Sequence, residues 1–218
     1  MNILYEDKFM VICEKPANVL SERSEGGGDD IVSLLKAEKG GEFYLVHRLD
    51  RNTGGAMVLA KTQKAAAALS VLIQQRDFEK EYFAVVKGEP ETAEGAFTDL
   101  LFKDSQKNKS FVVKRLRKGV KEAKLTYKTL GVKTLENGEK MSLVRVSLQT
   151  GRTHQIRVQF ASRKMPLVGD GKYGSRDNRC ETALWCGRLS FEHPFTGEKI
   201  EACSFPPKEY PWNEFEVE

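Results

Sequence analysis

Short apolar segments, separated by glycine, proline and charged residues, run along most of the chain. The continuous apolar runs Phe9–Cys13 and Met57–Ala60 predict buried strands, because each is too short to form a helix. Apolar residues at helical spacing follow Asp30, a favourable N-cap residue, and stop at Gly40, which predicts a short helix. The same spacing predicts a second helix over about Thr62–Gln75.

Hairpins dominate the second half of the chain. The strands Leu125–Val132 and Met141–Leu148 flank Asn137-Gly138, the strongest short turn signal in the sequence. A last hairpin is predicted from Leu189–Phe191 to Lys199–Cys203. The remaining predicted elements are a strand through Val46, a strand over Tyr82–Lys87 and a short helix over Thr153–Ser162.

These elements define the predicted fold class. No internal repeat, low-complexity tract or linker divides the sequence. We therefore predict a single α+β domain over residues 1–218, with a mixed, mostly antiparallel central sheet flanked by helices and loops.

Composition narrows the class of protein. The 218 residues are 40% hydrophobic, which is enough for a sizeable core, yet no uncharged apolar stretch could span a membrane or serve as a signal peptide. The four cysteines form no CxxC pair and have no metal-ligand spacing. We expect a cytoplasmic monomer without a membrane partner, a metal site or a cofactor.

Charge is distributed unevenly along the chain. The net charge is +4, but residues 103–124 contain nine lysines and arginines against two acidic residues, a local charge of +7. A basic segment on a slightly acidic body is typical of a surface that binds phosphates. For a charge run considered alone, a solvated loop is the more common explanation.

The sequence HRLDRNTGG, residues 47–55, concentrates charged residues directly after an apolar run. Three explanations fit this pattern: a kinase-type catalytic loop, an RNA-modifying site built on one aspartate, or a solvated turn after a strand. A kinase also needs a glycine-rich phosphate loop, a strand lysine and a DFG motif, and the sequence contains none of them. Asp50 also lies one residue too late for the kinase pattern, so we set that explanation aside.

A second polar cluster, TGRTHQIR at residues 150–157, also follows a predicted strand. Two clusters at strand ends can converge on one cleft. A carboxylate that acts as a nucleophile must stay ionised, and a nearby guanidinium lowers its pKa and fixes its orientation. Arg152 is a candidate for that partner of Asp50, although on residue type alone a structural, turn-capping aspartate is more common.

The combination of motifs is more specific than either cluster. HRLDRNTGG, KEYFAVVKG, LQTGRTHQIRVQ and PLVGDGKYG, in this order and spacing, resemble the RluA-type pseudouridine synthases. The opening ILYEDKFMVICEKPA and the closing LSFEHPFTGE extend the resemblance over nearly the whole chain. It implies the pseudouridine synthase fold and isomerisation of a uridine in RNA, in which the base is detached, rotated and rejoined to the ribose through carbon.

The resemblance also implies roles for single residues. Asp50 matches the catalytic aspartate, Tyr82 the active-site tyrosine and Arg152 the arginine that pairs with the aspartate. Arg48 matches the residue that enters the RNA stack where the target nucleotide is flipped out, and His47 and Thr53 match positioning residues of the same loop. We expect RNA contacts from two groups of residues: the loop residues Arg48, His47, Arg51 and Thr53, and the basic residues Lys114, Arg115, Arg117 and Lys118.

The sequence departs from the family pattern at a few positions. Gly54-Gly55 replace the usual Ser-Gly, from which we expect greater loop freedom. Leu184-Trp185-Cys186 stand where Leu-His-Ala is usual. Two other functions stay open: a non-catalytic RNA-binding protein on the same fold, which has no need of a carboxylate beside a polyanion, and a carboxylate-based hydrolase, which needs a second acid near the first.

Overall fold

The computed structural model describes residues 1–23 and 27–217. It divides into two compact units, which we call unit 1 (Met1–Lys80 and Trp185–Pro206) and unit 2 (Glu81–Leu184 and the C-terminal residues from Pro207). Each unit combines strands with helical segments, so the predicted α+β class is confirmed. The expectation of a single domain over residues 1–218 stays a prediction.

Eleven strands and three α-helices form the described part of the chain. The strands are β1 (Ile3–Glu6), β2 (Met10–Lys15), β3 (Tyr44–Leu45), β4 (Gly54–Ala60), β5 (Phe78–Lys87), β6 (Glu94–Asp104), β7 (Lys109–Val113), β8 (Val120–Thr134), β9 (Lys140–Leu148), β10 (Leu184–Glu192) and β11 (Lys199–Cys203). The helices are α1 (Ile31–Lys39), α2 (Gln63–Gln75) and α3 (Gln155–Ser162).

In unit 1 the strand order is β1-β2-β4-β10, with β3 paired to β4 and β11 paired to β10. Strand β10 runs parallel to β4, whereas β2 and β3 run antiparallel to it. A mixed, mostly antiparallel sheet was predicted, and this pairing confirms it. All seven residues of β4 are buried, so this strand forms the centre of the unit.

The two helices of unit 1 begin and end as predicted. The Asp30 side chain accepts a hydrogen bond from the Ser33 amide at 2.9 Å, and the chain leaves α1 at Gly40 with a φ of 70°. Thr62 caps α2 in the same way, and Leu69 anchors that helix in the core. Because both caps are local in sequence, they could be predicted without the fold.

Unit 2 contains an antiparallel sheet with the order β5-β9-β8-β6-β7. The predicted β8–β9 hairpin turns at Gly138, whose φ of 80° suits a residue without a side chain. Helix α3 packs on this sheet through Phe160, whose ring lies 5.0 Å from that of Phe97 and 5.7 Å from that of Tyr127. These aromatic rings form part of the core of the unit.

Three strands were not predicted from the sequence: β1, β6 and β7. Strands β6 and β7 are rich in charged and exposed residues, so their alternation of apolar and polar positions is weak. Both are stabilised by pairing across unit 2, which a local pattern does not reveal.

Candidate active site

Asp50 lies in the segment that joins β3 to β4. Its side chain is half-buried, and its carbonyl accepts a hydrogen bond from the Thr53 amide at 3.0 Å, which closes a tight turn. The chain then enters the buried strand β4 at Gly54. The aspartate is therefore presented by a short turn that is fixed at its C-terminal end by the central strand.

Lys15 holds this turn from the N-terminal part of the chain. Its side chain is fully buried, and its ammonium group donates hydrogen bonds to the carbonyl oxygens of Pro16 (2.8 Å), Val19 (2.7 Å) and Arg51 (3.2 Å). Burial lowers the pKa of Lys15 to about 8, and the negative charge of Asp50 acts in the opposite direction. A buried cation thus supports the backbone one residue after the aspartate.

Ser21 holds the turn on the other side of the aspartate. Its hydroxyl oxygen accepts a hydrogen bond from the Leu49 amide at 3.0 Å and donates one to the Leu49 carbonyl at 2.7 Å. Both residues are buried. Neither Ser21 nor Lys15 can be identified as a support of this turn from the sequence, because nothing in the sequence shows which distant segment lies against the turn.

His47 belongs to the protein interior. Its Nε2 atom accepts a hydrogen bond from the Val58 amide at 3.2 Å, which ties the start of the motif to β4. Burial, together with the positive charge of Lys80, holds the pKa of His47 well below its ordinary value. His47 and Thr53 are both buried, and both their positioning role and their contact with RNA stay predictions.

Two arginines of the motif lie at the surface. Arg48 forms an ion pair with Glu22, with 2.7 Å between Nη1 and Oε1, and both side chains are more than half exposed. Arg51 donates from Nε to the Asn18 carbonyl at 3.2 Å. Their predicted contacts with RNA remain predictions.

Gly54 and Gly55 lie within β4, so the expectation that they loosen the loop is wrong. A Cβ atom on Gly54 would lie 2.2 Å from the nearest ring atom of Trp185, and one on Gly55 would lie 2.3 Å from the Cys186 carbonyl oxygen. Trp185 is buried and its indole N–H donates to the Ser204 hydroxyl at 3.0 Å. The glycines permit close approach of β10, and the two departures from the family pattern are physically coupled.

Unit 2 contains the other two residues for which a catalytic role is predicted. Tyr82 is buried on β5, where it pairs with Val146 of β9. Arg152 precedes α3; its amide donates to the Gln155 side chain and its Nε donates to the Glu122 carbonyl, each at 3.0 Å. Because Asp50 belongs to unit 1, the pairing of Arg152 with Asp50 stays a prediction.

A buried ion pair anchors the GDGKYG segment to α3. Arg157 donates two hydrogen bonds to Asp170, at 2.7 and 2.8 Å, and neither side chain is more than 8% exposed. This bidentate geometry satisfies both charges in the interior. The arginine of the THQIR sequence therefore has a structural role in this unit.

The basic segment is exposed, as a phosphate-binding surface requires. Lys114, Arg115, Arg117 and Lys118 are all exposed, and none of them forms an ion pair with another residue of the described chain. The Arg117 guanidinium lies 5.0 Å from the centre of the Phe102 ring. The positive charge of this surface is thus available to a partner.

The described residues include neither a membrane-spanning helix nor a cluster of metal ligands. Over residues 1–23 and 27–217, no helix is long and apolar enough to cross a membrane. Within the same ranges no group of three or more histidine, cysteine or acidic side chains is arranged to hold a metal ion.

Comparison with known proteins decides the family. A family model described as RNA pseudouridylate synthase matches residues 9–162, which include Asp50, Tyr82 and Arg152. The chain belongs to this family. It is therefore an isomerase that acts on RNA, as the motifs indicated, and the non-catalytic alternative is not favoured.

Curated relatives agree with this assignment. The chain is 33% identical over 209 residues to the uncharacterized RNA pseudouridine synthase YhcT of Bacillus subtilis, covering 93% of this chain and 67% of that protein. It is 32% identical over 225 residues to the ribosomal large subunit pseudouridine synthase D of Vibrio cholerae, covering 92% of this chain and 66% of that protein. The chain thus spans about two thirds of the length of these relatives.

A solved structure shows the same fold. The human RNA pseudouridylate synthase domain containing 1 protein superposes with a TM-score of 0.80 at 24% identity, over 96% of this chain and 84% of that one. The predicted pseudouridine synthase fold is thereby confirmed.

Proposed function

We propose that this protein converts specific uridines of ribosomal RNA to pseudouridine, as a cytoplasmic monomer, with Asp50 as the catalytic carboxylate. The observation that carries the proposal is the Asp50 turn: a half-buried aspartate inside the matched family region, supported on both sides by buried hydrogen bonds. Relatives named as ribosomal large subunit synthases favour ribosomal RNA over transfer RNA.

The reaction rearranges atoms within one nucleotide. The bond between N1 of uracil and C1′ of ribose breaks, a bond between C5 and C1′ forms, the C5 proton leaves, and N1 gains a proton. This needs a carboxylate, a proton acceptor and a site that retains the detached base. We assign the carboxylate to Asp50, stacking beneath the base and assistance in proton removal to Tyr82, and orientation of the carboxylate to Arg152.

We assign the RNA contacts to two groups of residues, the loop that carries Arg48 and the basic segment. Arg48 would take the place of the flipped uridine, and the loop residues would support it. The basic segment would bind the phosphates, because its four exposed cations have no ion-pair partner in the described chain.

The decisive experiment is Asp50→Asn. The amide keeps the shape of the side chain but is a poor nucleophile, so we expect the single-turnover rate on ribosomal RNA to fall by about 10³-fold or more, with RNA affinity nearly unchanged. Asp77→Asn, at an exposed aspartate of the same unit, is the matched control and should retain full activity.

The intact mass of the variant must show that asparagine has not reverted to aspartate. An Asp50→Asn protein with substantial turnover would exclude the aspartate mechanism.

Mapping pseudouridines in all RNAs after gene deletion identifies the substrate, and losses confined to transfer RNA would contradict the ribosomal assignment.

A further inference from the structure

The Ser21 hydroxyl forms hydrogen bonds with both backbone polar groups of Leu49, the residue before Asp50. The Ser21 hydroxyl accepts a hydrogen bond from the Leu49 N–H and donates one to the Leu49 C=O, at 3.0 and 2.7 Å, and both residues are at most 5% exposed. The Leu49 carbonyl belongs to the peptide group that joins Leu49 to Asp50. A hydrogen bond to that oxygen therefore fixes the rotation of the peptide plane from which the Asp50 side chain extends.

Ser21 is itself held by the fold. The neighbouring residue Leu20 donates its amide to the Asp29 carbonyl and accepts from the Ile31 amide, each at 2.9 Å, at the start of α1. This pins the residue before Ser21 to a helix.

Lys15 also joins the segment that carries Ser21 to the turn that carries Asp50. Its ammonium group bonds at once to the carbonyl of Val19, on the segment that carries Ser21, and to the carbonyl of Arg51, on the turn that carries Asp50. The Arg51 side chain returns a further hydrogen bond to Asn18. Residues 16–22 and 47–53 are therefore joined on both sides of the aspartate.

We propose that Ser21 is a positioning residue for the isomerase reaction, which sets the direction of the Asp50 carboxylate. The proposal rests on the proposed catalytic role of Asp50. Without the hydroxyl, the amide and carbonyl of Leu49 lose their partner in a buried site, and the peptide group turns to find others. A displacement of a reacting group by ~1 Å costs about 10²-fold in rate.

The experiment compares Ser21→Ala with Ser142→Ala. Ser142 is fully buried and donates to the Gly88 carbonyl at 2.8 Å in unit 2, so its loss is a matched loss of one buried hydroxyl. Rates are measured at saturating enzyme in single turnover, below the melting temperature of every variant, with RNA affinity measured in parallel.

We expect Ser21→Ala to lower the single-turnover rate between about 10- and 100-fold with the RNA dissociation constant within about twofold of wild type. Ser142→Ala should keep the wild-type rate, and Ser21→Thr, which retains the hydroxyl, should recover most of the loss. If the alanine variant does not fold, Ser21→Cys fills the same space with a weak hydrogen-bonding group and should show the same decrease in rate.

Several outcomes would overturn the positioning role. These are a Ser21→Ala rate within about twofold of wild type, an equal loss in Ser142→Ala, a loss that appears only as weaker RNA binding, or no recovery with threonine in a folded protein. The Asp50→Asn variant is assayed alongside. If it remains active, the proposed function fails; if it is inactive while Ser21→Ala is unaffected, only the positioning role fails.

Discussion

Lys15 combines two properties that oppose one another in a protein interior. Its ammonium group is fully buried, which disfavours the charge, yet it satisfies three carbonyl oxygens and lies near the charge of Asp50. The outcome is a pKa of about 8.

This pKa predicts opposite trends of stability and activity with pH. Between about 8 and the ordinary value of 10.5, the folded state binds fewer protons at Lys15 than the unfolded state, so the contribution of Lys15 to the free energy of unfolding rises with pH. The reaction rate should fall as pH rises through about 8, because a neutral amine has only two N–H groups for three carbonyls and no charge near Asp50.

Single-turnover rates and urea denaturation across this range test both trends. Lys15→Arg keeps its charge at every pH of the assay and should lack the decline in rate. A decline of the same size in the arginine variant would assign the titration to another group.

Arg48 is restrained only weakly in the free protein. Its ion pair with Glu22 joins two side chains that are 70% and 51% exposed, and such surface pairs contribute about 0–1 kcal/mol. Displacement of Glu22 from Arg48 therefore costs little free energy.

If Arg48 replaces the flipped uridine, its removal should matter most where the uridine is stacked or paired beforehand. We expect Arg48→Ala to slow the reaction on a structured stem-loop far more than on a short single strand. If Arg152 orients the Asp50 carboxylate, Arg152→Ala should slow both alike, because that orientation is needed with every substrate. Equal relative losses for Arg48→Ala on matched substrates would exclude the flipping role.

The sequence identified the HRLDRNTGG motif but not the residues that hold it in place. The resemblance pointed to Asp50 and its neighbours through a contiguous pattern. Ser21 and Lys15 reach the turn from 28 and 36 residues away, and a buried hydroxyl or ammonium has no local signature that names its partner.

Strands β4 and β10 contain two residues that depart from the family pattern, Gly54 and Trp185, and these two residues are in contact. The Trp185 ring occupies the space that a side chain on Gly54 would need. Neither departure is informative alone, since a glycine in a strand and a tryptophan in a core each have many causes. Together they indicate one close contact between parallel strands.

This contact predicts a coupled pair of substitutions. Gly54→Ser should destabilise the protein by about 1–3 kcal/mol through overpacking against Trp185. Trp185→His makes room for the serine, so the double variant should be more stable than the sum of the single effects by about 1 kcal/mol or more. Urea denaturation of all four proteins measures the coupling.

Gly171→Ser is the control, because a Cβ atom at Gly171 meets nothing within 4 Å. Its effect should add to that of Trp185→His without coupling. Additive effects for Gly54→Ser as well would mean that β10 shifts away from β4 without strain.

Most elements were predictable because their signals are local. Helix caps at Asp30 and Thr62 and the turn at Asn137-Gly138 each depend on a few adjacent residues. Strands β6 and β7 depend on partners across unit 2, and their charged sequences resemble loops. The parallel pairing of β4 with β10 joins residues 131 positions apart and has no signal in either strand.

For the whole molecule, the distribution of charge matters more than its total. The net charge is only +4, whereas residues 103–124 carry +7. Four exposed cations at its centre have no acidic partner among the described residues, so their field is directed outward.

Replacing Lys114, Arg115, Arg117 and Lys118 by glutamine should weaken binding to all RNA sequences about equally. Each lost phosphate contact should reduce the slope of log affinity against log salt concentration by about 0.7–0.9. Lys36→Gln with Lys39→Gln is the control, since both lysines already pair with glutamates and should not change the slope. If the quadruple variant keeps the wild-type slope, the segment is a solvated loop.

The basic residues that follow β7 also affect solubility, because β7 lies at the edge of a sheet. Strand β7 ends the strand order of unit 2 and pairs with β6 alone among the described strands, and it exposes Phe111 and Val112. An apolar edge strand is a template on which a second copy can extend the sheet, and lysines beside it oppose that addition by repulsion. Besides their proposed contacts with RNA, these cations are therefore expected to oppose the addition of a second copy of the protein to β7.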